Sequence, residues 1–370
     1  MKNLLLIMMF GLLAQANMHF EKNKKCSECH PQIFKEYMTS QHANATVFKD
    51  PIHGAVYDKH PQKNKKQKYR CGKCHTPTAD NLDALLKPKN GVIPDINNET
   101  QNEAVACAYC HRISDTLPGK AMNKNVISKE PKKYFGNRKG NAKSEFHEIV
   151  TGNKGFQTGK LCMGCHMHKA NKKGFDVCST EDNNMNGKNN CITCHMPKVK
   201  GSVSNVTKSK DHTFHGFPGI HGDISKLSKY VTLSLKDSKN KFSIVVDHRA
   251  SHASTLHPLR MSKLVVTIKR DGKVIKMKPV NMSKTIGIKT KNGSKKTPPW
   301  LATKNIADSR IPANTKKSFN FDFVLKSGDV VTAKFGHLLM KPGAAKKFGL
   351  QDNKEVKKLR VISKETFKIK

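Results

Sequence analysis

Five cysteine pairs, each with two intervening residues and a histidine directly after the second cysteine, recur along the chain. They are Cys26, Cys29 and His30; Cys71, Cys74 and His75; Cys107, Cys110 and His111; Cys162, Cys165 and His166; and Cys191, Cys194 and His195. Two thiols at this spacing can add to the two vinyl groups of a haem, and the adjacent imidazole then lies beneath the iron as its proximal ligand. Disulfides and zinc sites also use cysteine pairs so spaced, but neither needs a histidine after every second cysteine. The motifs take ten of the eleven cysteines. The pattern therefore predicts five covalent haem c groups, each with its motif histidine on the iron.

The opposite face of each iron decides between electron transfer and catalysis. Two imidazoles per iron leave no open position, whereas a single open iron offers a place for substrate chemistry. Outside the motifs and up to Gly222 the chain carries His19, His42, His53, His60, His147, His168, His212, His215 and His221, more than five irons need, so saturation is the default expectation. His42 leads the distal candidates, because Tyr37 to His42 follows the first motif on a segment that reads as helical. His147 is next, and His212, His215 and His221 cluster near a boundary; His53, His60 and His168 complete the set. For each one a surface or supporting role stays open. No catalytic residue is assigned. Met163, Met167 and Met196 read as soft packing against porphyrin rather than as ligands. Cys178 is left over, as an inert or a reactive thiol. The run Asp182 to Gly187 resembles the start of a calcium loop, but Thr193 stands where the bidentate glutamate belongs, which argues against calcium.

The elements that must hold these groups are of two kinds. From His19 to about Gly222 there is little hydrophobic periodicity, and five motifs in that length leave too few residues for a protein core around each haem. The porphyrins themselves must serve as core, held by short helices and irregular loops, with Lys63 to Lys68, Lys129 to Lys143 and Asn183 to Asn190 as solvated loops. After Gly222 come short, often alternating segments at Tyr230 to Leu235, Phe242 to Asp247, Lys263 to Lys269, Val274 to Met277, Ser318 to Leu325, Val330 to Leu339 and Lys358 to Ile369. Asp271-Gly272 and Ser327-Gly328 supply turns between them. The expected fold class is α+β multidomain: a mainly helical and irregular pentahaem domain over 17–222, then an antiparallel β-sandwich over 223–370. On a loop after one strand, His248, His252 and the nearby His257 read as solvent-exposed histidines, with a haem cap at the domain interface as the other reading. His337 reads as a packing residue.

Met1 to Ala16 has the pattern of a secretory signal: Lys2, an apolar run from Leu4 to Leu13, and the small-x-small site Ala14-Gln15-Ala16. This predicts export to the periplasm, with an uncleaved anchor and membrane association as the alternative. Lysine plus arginine number 68 against 28 acids, a formal charge of +40, part of which haem propionates offset. Such a surface attracts acidic redox partners, anionic membrane surfaces and small anions. The expected partners are redox proteins, an acidic cytochrome or a quinol-linked membrane complex; export and haem argue against nucleic acid.

The first motif through Ser40-Gln41-His42 resembles the opening of multihaem cytochromes c of the cytochrome c-554 type, and Cys191 to Pro197 is similar to their recurring CxxCHMP ending. His212 to Gly219 and Ala307 to Pro312 are similar to segments of bacterial periplasmic multihaem proteins whose haem module precedes a β-sandwich. The resemblance implies close-packed haems with mostly bis-histidine ligation, His42 as a distal ligand, and electron transfer in anaerobic or nitrogen-linked respiration. The alternative function is a haem-dependent oxidoreductase acting on hydroxylamine, nitrite or sulfite.

Overall fold

Short helical turns carry the attachment motifs in a computed structural model that describes residues 19–64, 66–87, 92–137, 144–180 and 190–370. The signal-like segment, the calcium-like run, most of Asn183 to Asn190, and parts of Lys63 to Lys68 and Lys129 to Lys143 lie outside the described residues. The turns are Asn23–Ser27, Gly72–His75, Cys107–His111, Met163–His166 and Cys191–His195. In the first two, the histidine amide closes onto the carbonyl of the first cysteine, His30 N to Cys26 O at 2.9 Å and His75 N to Cys71 O at 3.0 Å. One such turn puts positions i, i+3 and i+4 on a common face, which gathers two sulfurs and one imidazole.

Helix Pro31–Met38 opens with proline in its first turn, where the missing N–H costs nothing. It stops before His42, which lies in a turn instead of on the helix. Local hydroxyls explain the stop: Thr39 Oγ1 donates to Glu36 O at 2.7 Å and Ser40 Oγ accepts from Ala43 N at 3.3 Å, competing with further helical bonds. Apolar clusters in this part are small, such as Tyr57, Tyr69, Ala79 and Leu85, or Ala45, Ala104 and Val105. A prosthetic core would supply what the side chains do not.

The C-terminal part is built of antiparallel sheets, in line with the expected fold class. One has the order Thr315–Phe321, Lys241–His248, Val231–Ser238. A second runs Lys273–Lys276, Met261–Arg270, Val330–Leu338, Arg360–Lys368, with Val280–Met282 also on Met261–Arg270. Both feed one hydrophobic core: Leu233, Phe242, Ile244 and Val246 from the first meet Leu264, Val266, Val331 and Phe335 from the second. Asp271 and Gly272 both have positive φ, 49° and 73°, at the two-residue hairpin turn between Met261–Arg270 and Lys273–Lys276. A third sheet, Gly293–Lys296, Lys284–Thr290, Lys304–Asp308, was not anticipated, because its lysine-rich strands hide the alternation.

The two parts meet. Helix Pro342–Phe348 belongs to a cluster of Met340, Phe348 and Val356 against which Ile52 and Val56 of helix Pro51–Lys59 pack, together with Leu259 and Trp300. Asn171 Nδ2 donates to Pro299 O at 2.9 Å and Ala302 O at 2.7 Å. Among the described residues no helix is long and apolar enough to cross a membrane.

Candidate functional site

An imidazole ligates iron through Nε2 only if that nitrogen carries a lone pair, so Nδ1 must hold the proton and donate it elsewhere. Four of the five motif histidines meet this condition. Nδ1 faces a backbone carbonyl in His30 (Val203 O, 2.7 Å), His75 (Ala45 O, 2.9 Å), His111 (Phe135 O, 2.9 Å) and His195 (Pro218 O, 2.6 Å). Metal–imidazole bonds of about 2 Å, plus about 1.2 Å from each nitrogen to its ring centre, put two imidazoles on one ion about 6.4 Å apart.

Four pairs of rings have that spacing. His30 and His147 are 6.5 Å apart, His166 and His42 6.1 Å, His111 and His215 6.2 Å, and His195 and His252 6.2 Å. Each pair joins a motif histidine to one from a distant stretch. The interplanar angles run from 17° to 64°, which rotation about an axial bond permits. His215 and His252 also direct Nδ1 at carbonyls, Thr213 O at 2.7 Å and Ala253 O at 2.9 Å. The His42 and His147 Nδ1 atoms have no partner among the described residues, so His42 with His166 stands on spacing. Burial pushes His42 and His215 down to about 3 and His252 to about 4, and holds His111, His147 and His195 below the ordinary imidazole range. These imidazoles are neutral at neutral pH, the form a metal requires.

His75 is set differently. Its ring meets His53 at 4.0 Å, too close to hold an iron between them, and both direct Nδ1 at Ala45 O. His53 Nε2 takes the Tyr69 hydroxyl at 3.3 Å. The remaining candidates are otherwise engaged. His60 Nδ1 accepts from Gln62 N at 3.0 Å and its ring packs on Trp300; His168 Nε2 faces Gly119 O at 2.9 Å. His221 Nε2 accepts from Arg260 Nη2 at 2.8 Å. His212 uses both nitrogens, Nδ1 with Gly201 O at 3.0 Å and Nε2 with Glu36 Oε1 at 2.8 Å. His19 is exposed and offers its carbonyl to Arg112. Cys178 is a half-buried free thiol whose ionisation burial pushes up.

The histidines of the C-terminal loop are not solvent-exposed: His248 is 3% exposed, and His252 and His257 are half-buried. The loop turns inward against the motif region, so alternation in the flanking strands carries no sign of it. His252 is the residue to which sequence reading gave too little weight. Its signal was the clustering of three histidines within one connecting segment.

Attachment motifs also touch one another. Side-chain contacts join Cys26 to Cys107, Cys74 to Cys165, and Cys162 to Cys191. Backbone and side-chain bonds fix these approaches. Asn23 Oδ1 accepts from Cys107 N at 2.8 Å, and Asn190, which caps Cys191–His195, donates to Gln157 O at 3.0 Å. Gly159, at φ 80°, ends helix Lys154–Thr158; a Cβ there would lie 2.8 Å from Cys191 Cβ, so only glycine lets the fourth and fifth motifs approach so closely.

Residues 25–112, spanning the first three motifs, match the family described as "Cytochrome c554 and c-prime". The structure of a penta-heme cytochrome c552 from Thermochromatium tepidum is similar, with a TM-score of 0.71 and 20% identity over 95% of this chain and 100% of that one. A β-glucosidase from Kluyveromyces marxianus, with a TM-score of 0.16 and 13% identity over 38% of this chain and 14% of that one, is too distant to carry an argument. No curated protein matches the chain. The fold is of the multihaem cytochrome c type, with a sheet-rich C-terminal part.

Proposed function

We propose that the chain is an exported five-haem c-type cytochrome that relays electrons in anaerobic or nitrogen-linked respiration. The observation that carries this reading is the set of opposed imidazole pairs at iron spacing beside attachment motifs that touch one another. Haem iron between two imidazoles supplies one-electron chemistry with no position open to substrate. The protein's part is to aim the rings: carbonyls hold the Nδ1 protons of His30, His75, His111, His195 and His215, burial keeps His42, His111, His195 and His215 neutral, and the contacts among cysteines would keep neighbouring haems close. In this reading the ten motif cysteines carry five haems, and His30, His75, His111, His166 and His195 are proximal. His147, His215 and His42 are distal to the first, third and fourth haems. The contacts order the haems as first beside third, and second beside fourth beside fifth. The relative titled a penta-heme cytochrome supports the count. Residues 17–222 form the haem domain and 223–370 a β-sandwich whose sheets share one core. The basic surface docks acidic redox proteins, a quinol-linked complex or anionic membrane. The test is intact mass together with a potentiometric titration: five haems that accept and return electrons reversibly support the reading, and four would remove one motif from it.

A second reading is favoured by one observation: the ring beside His75 is too close to bracket an iron. The second haem then has an open sixth position, and the chain acts on hydroxylamine, nitrite or sulfite there. The surroundings suit an anion. Burial lowers His60 to about 4 and holds His75 well below its ordinary range, and the Lys169 ammonium adds to both, after His53 in the case of His75. Turnover of one of these compounds by the reduced protein decides for this reading, and binding without turnover decides against it.

A further inference from the structure

We propose that the sheet-rich C-terminal part supplies His252 as the sixth ligand of the haem at Cys191, Cys194 and His195, so that one iron ties the two parts of the chain together. This rests on the five-haem reading above and extends it to a residue outside the haem region. The His252 and His195 rings are 6.2 Å apart with planes 17° from parallel. Both send Nδ1 to carbonyls, Ala253 O and Pro218 O, which leaves both Nε2 lone pairs free.

The loop that carries His252 is fixed on both sides. Asn314 N donates to Ala250 O at 3.0 Å, and Ser254 N donates to Ile311 O at 2.9 Å. Ser254 Oγ takes Ser262 Oγ at 3.0 Å and Ile311 N at 3.2 Å, and Arg310 Nη1 donates to Thr255 O at 2.8 Å. A ligand held this way is positioned before the iron arrives, and ordering it on binding costs little. Nearby, the Tyr230 hydroxyl contacts the Cys194 sulfur, so the C-terminal part meets the same motif at a second point.

Placement gives the contact a consequence. Through Cys162 and Cys191 the fifth motif adjoins the fourth, which also adjoins the second. The ligand of the fifth haem thus belongs to the C-terminal part. A displacement of that part would open this iron and shift its potential, while the haems whose ligands lie in the motif region keep theirs.

The test uses full-length protein verified as five-haem by intact mass. His252→Ala should add one equivalent of carbon monoxide uptake to the reduced protein and one high-spin ferric signal to the oxidised protein. His252→Met should restore a low-spin centre and raise the potential of one haem, since a methionine–histidine pair favours the ferrous state. A purely structural role for His252 would not exchange spin state and potential in this way. Unchanged uptake and spectra in a five-haem His252→Ala protein would overturn the proposal. A wild type that binds fewer than five haems would defeat the reading beneath it as well.

Discussion

The Glu36 carboxylate, 8% exposed in helix Pro31–Met38, accepts the backbone N–H of His215 through Oε2 at 3.0 Å, although the residues are 179 positions apart. Its other oxygen takes His212 Nε2 at 2.8 Å. Glu36 thereby fixes the chain on which the His215 ring faces His111. Glu36→Ala leaves two buried donors without partners, each costing about 1–3 kcal/mol. Chemical denaturation should show destabilisation of about 2–6 kcal/mol, and the haem at His111 should gain high-spin character. Normal stability with an unaltered spectrum would remove Glu36 from this positioning role.

The three pairs within the haem region predict separable effects. His147→Ala, His215→Ala and His42→Ala should each open one iron, read as one added equivalent of carbon monoxide on the reduced protein. His168→Ala and His60→Ala should add none, because those rings face Gly119 O and Gln62 N. Equal uptake in all five variants would mean that ring spacing does not identify ligands here.

Asp329 and Arg270 give a pH prediction for the C-terminal part. Arg270 Nε donates to Oδ1 at 2.8 Å and Nη2 to Oδ2 at 2.6 Å, and Lys326 N adds a bond at 2.9 Å. The Arg270 hydrogen bonds hold the carboxyl below its ordinary value. A lowered native value stabilises the fold above the unfolded value, about pH 4, and that contribution is lost as pH falls through the native one. Asp329→Asn should cost about 1–3 kcal/mol at neutral pH. Its deficit should narrow below about pH 4, measured by denaturation followed by circular dichroism. A deficit independent of pH would show that charge is not the cause.

The proposed proximal groups are legible because the motif is local: one helical turn contains both sulfurs and the imidazole. The proposed distal ligands depend on folding across the chain. His147 was singled out, yet nothing in Phe146-His147-Glu148 says that it would meet His30. His212 and His215 looked equivalent in sequence; only the Glu36 carboxylate, reaching across from another helix, separates the engaged ring from the free one. Hairpin turns such as Asp271-Gly272 announced the main strands. The strands of Lys284–Thr290 and Gly293–Lys296 did not, since lysine stems can lie along a sheet surface without leaving an alternating pattern.

The formal charge of +40 predicts salt-sensitive docking. If the exterior steers an acidic partner, the electron-transfer on-rate should fall by tenfold or more between about 10 mM and 150 mM salt, as the screening length shortens. A flat response with the natural partner would assign the lysines to membrane contact or solubility.

The central claim, that opposed imidazoles close the irons of an electron relay, is tested most directly by titrating the reduced five-haem protein with carbon monoxide at neutral pH. The account predicts uptake of one equivalent, at the haem of His75, with the other four irons inert. Uptake of two would remove one of the four contacts, and a His252→Ala protein that adds no further equivalent would identify it as that of His252. Uptake of three or more would contradict the claim, because irons bracketed by His30 and His147, His111 and His215, or His166 and His42 would then be open.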